Sequence, residues 1–197
     1  MLAEWSIECS AEAPVLVVPW ADASGAAAFV DLRRHPDAGD QIPEAEAHPP
    51  LMQALHALNA ARSPAFTAKC DAWPLAAEEL EHLQLHLDLT AAEAPAGFAS
   101  YIDLVWRDRA LFASMHRQQQ LLQRIVRYAA ALDQPMASLE FVLRPALVDL
   151  TGPQEGFATT LYLKALGADD RDAWHNWTAA LKAVVALLRG KDIAIVA

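Results

Sequence analysis

Hydrophobic and polar residues alternate with a period of two over much of this chain, which is the pattern of half-buried β-strands. Near the N-terminus, Trp5, Ile7 and Cys9 alternate with polar neighbours before the apolar run "PVLVVPW", so we expect a hairpin or small meander there. Later strands are predicted at "AFTAKCDAW", "GFASYIDLVWRD", "ASLEFVLRPALVDL" and "GFATTLYLKAL". The turn-rich "TGPQEG" joins the last two into a predicted long hairpin.

The segment "EHLQLHLDLT", residues 81–90, has the most regular alternation. In a strand, one side would carry Leu83, Leu85, Leu87 and Leu89, and the other side His82, Gln84, His86 and Asp88. In a helix, residues two apart are turned by about 200°, so the same leucines would have no common face. The pattern therefore predicts a strand with one polar face.

Three segments have the period of amphipathic helices. The first spans about residues 50–62 and has Pro50 in its first turn, and the longest spans about 108–132. The third begins near Asp169, which can cap its start together with Asp172, and ends before Gly190. The apolar "DIAIVA" at 192–197 is predicted to be a final strand.

From Phe98 onward the predicted order is β-α-β-β-α-β, which is the ferredoxin-like or split βαβ order. We therefore expect an α+β protein with a largely antiparallel sheet and helices packed on one face. Residues 1–97 would form a β-rich half with one helix, and residues 98–197 the ferredoxin-like half, packed as one globular unit. The likeness of "FVDLR" at 29–33 to "YIDLV" at 101–105 suggests a reduced β-α-β-β repeat in the first half. The alternative, at about even odds, is chance similarity.

Charge and composition exclude several classes of partner. The 197-residue chain is 54% hydrophobic, and its 25 acidic and 15 basic residues give a net charge of −10. Such a charge repels nucleic acid and anionic lipid. We found neither a signal-peptide pattern nor an apolar run near the roughly 20 residues that span a bilayer, so we expect a cytoplasmic protein without nucleic-acid or membrane partners.

The two cysteines, Cys9 and Cys70, lack the clustered spacing of a thiolate metal site and suit a reduced compartment, with one Cys9–Cys70 bridge left open. In "KCDAW", Cys70 precedes Asp71 and would become a nucleophile if a histidine from another strand activated it. Alternation places Cys70 with Phe66 and Ala68 on an apolar side, which favours an inert buried thiol.

His82 and His86 would lie about 13 Å apart on a strand, too far to share one metal ion. His86 and Asp88, about 7 Å apart on the same face, are the remaining candidates for a ligand-binding site. A solvated or partner-facing strand is the favoured interpretation, and no metal site is predicted.

Arg144 is the least expected charge, because it lies between Leu143 and Pro145 in an apolar strand. A buried arginine needs a carboxylate, and Glu140 is too distant along the strand, so Asp31, Asp71 or Asp103 is the expected partner. The structural interpretation is an internal ion pair. The functional alternative is a clamp for a carboxylate or phosphate ligand.

The chain contains none of the phosphate-loop, nucleophile-elbow or zinc-binding motifs, and no cofactor is predicted. We expect a non-catalytic binding or protein-interaction protein that forms a homodimer or binds another protein, since its many Trp and Leu residues favour a second buried surface. The alternative is a small-molecule-binding protein or enzyme with a pocket between sheet and helices. There Arg144 would hold a small anionic ligand, and the other lining candidates would be Cys70, Asp71, His86 and Asp88.

Overall fold

A computed structural model of the protein describes residues 1–25, 27–190 and 193. The strands of this part are β1 (Leu2–Ile7), β2 (Leu16–Val18), β3 (Ala65–Pro74), β4 (Ala96–Trp106), β5 (Ala137–Val148) and β6 (Gln154–Gly167). Its helices are α1 (Pro43–Ala47), α2 (Pro49–Asn59), α3 (Ala77–His86), α4 (Arg109–Phe112), α5 (Met115–Ala129) and α6 (Asp170–Leu188). Within these residues, every helix is too short or too polar to cross a bilayer.

The strands form one mixed sheet in the order β1-β5-β6-β4-β3, and β2 pairs with β5 further along the edge that β1 occupies. The β5-β6-β4-β3 part is antiparallel, whereas β1 and β2 run parallel to β5. The predicted α+β class is therefore confirmed. The predicted long hairpin of β5 and β6 is also present, with a register that runs from Ala137–Ala165 to Val148–Gln154.

The ferredoxin-like order is not confirmed as predicted. β4, α5 and β5 form a split βαβ unit with β6 inserted between the two parallel strands. The edge place beside β4, which the fourth ferredoxin-like strand would take, is occupied by β3 from the first half of the chain. Of the segment predicted as that fourth strand, residues 192 and 194–197 lie outside the described residues.

The predictions for the N-terminal half are wrong in two respects. β1 and β2 do not pair with each other as a hairpin; Leu2–Ile7 pairs with residues 138–143 of β5 and Leu16–Val18 with residues 146–148. The 12-residue β5 offers an edge long enough for both short strands. The β-α-β-β repeat is also absent from this half, because residues 29–33 form no strand and residues 77–86 are helical.

The segment predicted as a strand at 81–90 is instead the C-terminal part of helix α3 and the turn after it. Leu83 is 3% exposed and packs with Leu80 and Leu87, which lie one helical turn before and after it, and with Leu166 of β6. Leu85, two residues from Leu83, is 81% exposed. The helix is formed in place of the strand because Leu80, Leu83 and Leu87 are spaced as a helical apolar stripe. That stripe covers one end of the sheet.

Two of the predicted helices are observed with small changes. The long helix is interrupted at Ala113, and the hydroxyl of Ser114 accepts the Arg117 N–H at 3.3 Å and so caps a new start for α5. In α6 the predicted caps are present: the Asp169 carboxylate accepts the Asp172 N–H at 2.8 Å, and the Asp172 carboxylate accepts the Ala168 N–H at 3.0 Å.

The two faces of the sheet differ. Helices α2, α5 and α6 cover one face and bury the main core, in which Trp177 of α6 is 0% exposed and donates its indole N–H to Ser100 Oγ at 2.9 Å. The opposite face, here called the second face, carries one small apolar cluster under α3 and another near β2. Polar side chains of β3–β6 and of the segment after β1 lie between the two clusters. We call this band the polar strip, formed by Glu8, Asp71, Tyr101, Asp103, Glu140, Arg144, Thr160, Tyr162 and Lys164.

Candidate functional site

A buried carboxyl lies at the centre of the polar strip. Asp103 of β4 is 5% exposed, and its Oδ1 accepts the hydroxyl hydrogen of Thr160 on β6 at 2.6 Å. Desolvation by burial raises the pKa of Asp103, and the Thr160 hydrogen bond and the charge of Arg144 act in the opposite direction. The carboxyl is therefore held closer to its neutral form than an exposed aspartate.

Arg144 of β5 is bound to protein groups through three of its nitrogens. Nε pairs with Glu8 Oε2 at 2.8 Å, Nη1 donates to Thr160 Oγ1 at 3.1 Å, and Nη2 donates to the Tyr162 hydroxyl at 3.2 Å. None of the carboxylates predicted from sequence is the direct partner, because the parallel β1–β5 pairing brings the residue after β1 alongside Arg144. Arg144 is connected to Asp103 only indirectly, through the Thr160 hydroxyl. This geometry favours the internal ion pair over a ligand clamp.

A concave site lies along the outer edge of β3, and we call it the β3 cleft. It encloses about 470 Å³ between the edge strand, helix α2 and residues of the segments 20–25, 27–30 and 41–44. Its apolar walls include Trp20, Phe29, Val30, Ile42 and Leu55, and its polar lining includes Gln41, Glu44, Thr67, Lys69, Asp71 and Tyr101. Cys70 also lines it, so two of the predicted site residues, Cys70 and Asp71, lie here together.

A β-bulge in β3 shapes this cleft. The register slips between Thr67 and Cys70, so that Ala68 and Lys69 share the space opposite one residue of β4. The Ala68 carbonyl turns outward and accepts the Trp20 indole N–H at 2.8 Å, and the Lys69 ammonium lies 4.6 Å from the Trp20 ring centroid. These two contacts hold the segment after β2 against the edge of β3.

The bulge also moves Cys70 to the other face of the sheet from the one predicted. Phe66 and Ala68 pack in the second-face cluster near β2, whereas Cys70 packs against the main core. Burial, with smaller effects from Glu44, Asp71 and Asp103, raises the pKa of the Cys70 thiol to about 12. Cys9 and Cys70 are both free thiols.

Tyr101 connects the β3 cleft to the polar strip. Its ring centroid lies 6.2 Å from that of Trp73 and 6.1 Å from that of Tyr162 on the neighbouring strands. Burial raises the pKa of its phenol, and the nearby charges of Asp103 and Asp71 raise it further. The phenol is therefore a neutral hydrogen-bonding group at the cleft wall.

His86 and Asp88 do not form a common site. The helical geometry of α3 places the ring centroids of His82 and His86 5.6 Å apart, and both rings border a small cavity of about 80 Å³ above Glu4 and Glu140. Asp88 lies past the helix end in a left-handed conformation with φ 56° and does not line that cavity. No three His, Cys, Asp or Glu side chains in the described ranges are placed to hold a metal ion.

The proposed constellation of Cys70, Asp71, Arg144 and His86 is thus distributed along the second face and the edge of β3. Only Cys70 and Asp71 share a cleft. Sequence reasoning missed the cleft residues Trp20, Glu44 and Tyr101, of which Tyr101 had a detectable signal: it is a large aromatic on the polar side of an alternating strand. The chain matches no family model, no curated protein and no solved structure.

Proposed function

We propose that the protein is a non-catalytic binding protein that holds a small organic ligand in the β3 cleft. The observation that carries the proposal is the cleft itself, which encloses about 470 Å³ and is lined by aromatic, aliphatic and polar side chains. Ligand sites in proteins have this size and this mixture of walls.

The chemistry of the lining supports binding more than catalysis. The Cys70 thiol, with its pKa raised to about 12, is almost entirely protonated near neutral pH and is a poor nucleophile. No histidine is among the described residues that line the cleft, so the lining supplies no imidazole to activate Cys70.

The charges of the lining favour a neutral or cationic ligand. Glu44 and Asp71 carry negative charge, while the ammonium of Lys69 lies on the ring of Trp20. A ligand with an aromatic body can pack beside Trp20 and Phe29, and a cationic or hydroxyl group can reach the carboxylates. The small anion expected from the sequence suits this cleft less well.

Three compounds that share a naphthalene ring and carry a cationic, a neutral or an anionic substituent test the proposal: naphthylmethylamine, naphthylmethanol and naphthoate, titrated calorimetrically. Ala28→Phe is the blocking variant, because Ala28 is exposed and lines the cleft. Ala23→Phe, also exposed but outside the lining, is the matched control.

We expect the amine and the alcohol to bind the native protein and the control, with at least tenfold weaker binding to Ala28→Phe, about 1.4 kcal/mol or more. Equal affinity of Ala28→Phe and Ala23→Phe would show that the cleft is not the site. Naphthoate binding that is tighter than amine binding and is lost in Ala28→Phe would overturn the charge preference.

A further inference from the structure

A second cleft, separate from the β3 cleft, opens where β4 and β5 end and β6 begins. It encloses about 350 Å³ and carries four arginines on its rim, and we call it the arginine cleft. The rim arginines are Arg33, Arg34, Arg107 and Arg109, and the other lining residues are Phe66, Val105, Trp106, Phe112, Val148, Leu150, Thr151 and Gln154. None of the candidate residues predicted from the sequence lies in it.

The floor of the arginine cleft is apolar. Phe66, Val105, Phe112 and Val148 belong to the second-face cluster near β2 and are between 2% and 8% exposed. Leu150, which follows β5, packs against the same cluster. The floor therefore offers a hydrophobic contact surface that water solvates poorly.

Arg33 is fixed in place before any ligand arrives. Its Nε and Nη2 each donate to the Asp31 carboxylate at 2.8 Å, and its guanidinium carbon lies 3.8 Å from the centroid of the Phe66 ring. The bidentate pair and the aromatic contact restrict the side chain, so little conformational entropy is lost when a further acceptor binds. No acceptor among the described residues is bonded to its Nη1.

Arg107 is held in the same way, by backbone carbonyls. Its Nε donates to the Ala65 carbonyl at 3.1 Å, and its Nη2 donates to the Asn59 carbonyl at 2.8 Å, at the C-terminal end of α2. Desolvation lowers the pKa of Arg107, and the positive charge of Arg33 lowers it further. The guanidinium groups of Arg33 and Arg107 are thus close enough to repel each other.

The described residues supply little negative charge to balance this cluster. The four rim arginines are accompanied by no acidic residue in the lining, and Asp31 is the carboxylate with which Arg33 and Arg34 pair. Arg107 and Arg109 have no ion-pair partner in the described part of the chain. On a chain with a net charge of −10, this concentration of positive charge is local and unbalanced.

We propose that the arginine cleft binds a small amphipathic anion: an apolar body that lies on the floor and a terminal phosphate or carboxylate that the rim arginines hold. Guanidinium groups bind both anions through paired hydrogen bonds. A long polyanion fits less well, because the cleft is small and the rest of the chain is acidic. This inference does not depend on the ligand of the β3 cleft.

The test uses four probes with the intact protein: hexyl phosphate, hexanoate, hexanol and inorganic phosphate. The variant Arg34→Gln/Arg109→Gln removes two exposed rim charges and leaves Arg33, which is bound to Asp31, and Arg107, which is bound to backbone carbonyls, unchanged. Arg117→Gln/Arg127→Gln, on the exposed side of α5, makes the same change in net charge outside the cleft and is the matched control.

We expect hexyl phosphate or hexanoate to bind the native protein and the control alike in a calorimetric titration, and to bind Arg34→Gln/Arg109→Gln about tenfold or more weakly. The affinity should fall with added salt, and hexanol and inorganic phosphate should each bind more weakly than the amphipathic anion. The stronger of the two anions identifies the headgroup.

Several results would overturn the proposal. Absence of binding by both hexyl anions would remove it, as would equal weakening in the rim variant and the control, which would indicate a general charge effect. Inorganic phosphate as strong as hexyl phosphate would show that the floor contributes nothing. A further variant, Thr151→Trp, fills the exposed mouth of the cleft and should abolish binding without any change in charge.

Discussion

The hydroxyl of Thr160 donates its hydrogen to the buried carboxyl of Asp103 at 2.6 Å and accepts an Nη1 hydrogen of Arg144 at 3.1 Å. A single side chain on β6 thus links a desolvated acid on β4 to a cation on β5. This hydrogen bond explains how an aspartate that is 5% exposed is accommodated on the second face, because its Oδ1 has a hydrogen-bond partner.

The first prediction concerns pH and Asp103. Its pKa is raised above the ordinary value of 3.8, so the native state binds more protons than the unfolded state as pH rises above that value, and the free energy of unfolding falls through this window. Asp103→Asn carries no such charge. The melting temperature of Asp103→Asn minus that of the native protein should therefore increase as the pH rises above about 4.

Thermal melts followed by circular dichroism at several pH values measure this difference. Asp88→Asn makes the same substitution at an exposed position and is the matched control. A difference between Asp103→Asn and the native protein that stays constant with pH would mean that Asp103 ionises as freely in the native state as in the unfolded state.

The second prediction concerns Arg144, whose side chain is 19% exposed and satisfies three acceptors. Arg144→Met should lower the free energy of unfolding by about 1–3 kcal/mol, because Tyr162 and Thr160 lose a partner. The stability of Arg144→Lys should lie between that of the native protein and that of Arg144→Met, since an ammonium cannot reach all three acceptors in one plane. Urea denaturation is the measurement.

Arg117→Met, on the exposed side of α5, is the control and should change stability by no more than about 0.5 kcal/mol. If Arg144→Met were as stable as this control, the ion pair with Glu8 and the two hydroxyl contacts would contribute nothing net.

The third prediction concerns thiol reactivity. With a pKa of about 12 in place of 9.0, Cys70 has about a thousandfold fewer thiolates near neutral pH. In Cys9→Ser the remaining Cys70 should react with iodoacetamide far more slowly than Cys9 does in Cys70→Ser. Mass spectrometry of timed samples gives both rates.

Glu44→Gln in the Cys9→Ser background should speed the alkylation of Cys70, since the charge of Glu44 helps to raise its pKa. Glu46→Gln, an exposed change two residues away, is the matched control. Comparable rates for Cys9 and Cys70 in the single variants would show that the thiol is neither buried nor electrostatically suppressed.

The fourth prediction separates the helix from the strand at residues 77–86. Leu83→Ala should cost about 2–4 kcal/mol, because it empties a buried position between Leu80 and Leu166. Leu85→Ala should change stability by less than about 0.5 kcal/mol, since that side chain is 81% exposed. A strand would bury both leucines alike, so equal losses in denaturant melts would contradict the helix.

The caps of α6 and the strands β3 to β6 were predictable because their signals are local. Asp169 and Asp172 stand at the right spacing before an apolar stripe, and two alternating segments joined by the turn-rich "TGPQEG" identify the β5–β6 hairpin. At α3 the local signals conflicted, because Leu83, Leu85, Leu87 and Leu89 fit the period of a strand, whereas Leu80, Leu83 and Leu87 fit that of a helix. Glu78 and Glu79 in the first turn were the additional sign of a helix.

The candidate site was less predictable because it depends on non-local contacts. Cys70 and Asp71 were candidates from the sequence and both line the β3 cleft, but the bulge that turns Cys70 towards the core leaves no pattern in the sequence around it. The partner of Arg144 was missed because Glu8 lies 136 residues away and meets it only through parallel pairing. The arginine cleft joins Arg33 and Arg107 by the same kind of distant contact.

The sequence by itself determined the α+β class, the strands of the antiparallel core and the capped ends of α6, because periodicity and capping act over a few residues. Tertiary structure alone decided that α3 is a helix, that Glu8 pairs with Arg144, and that four arginines share one cleft. The physical reason is that burial and charge pairing depend on which surfaces meet, and residues far apart in the chain supply those surfaces.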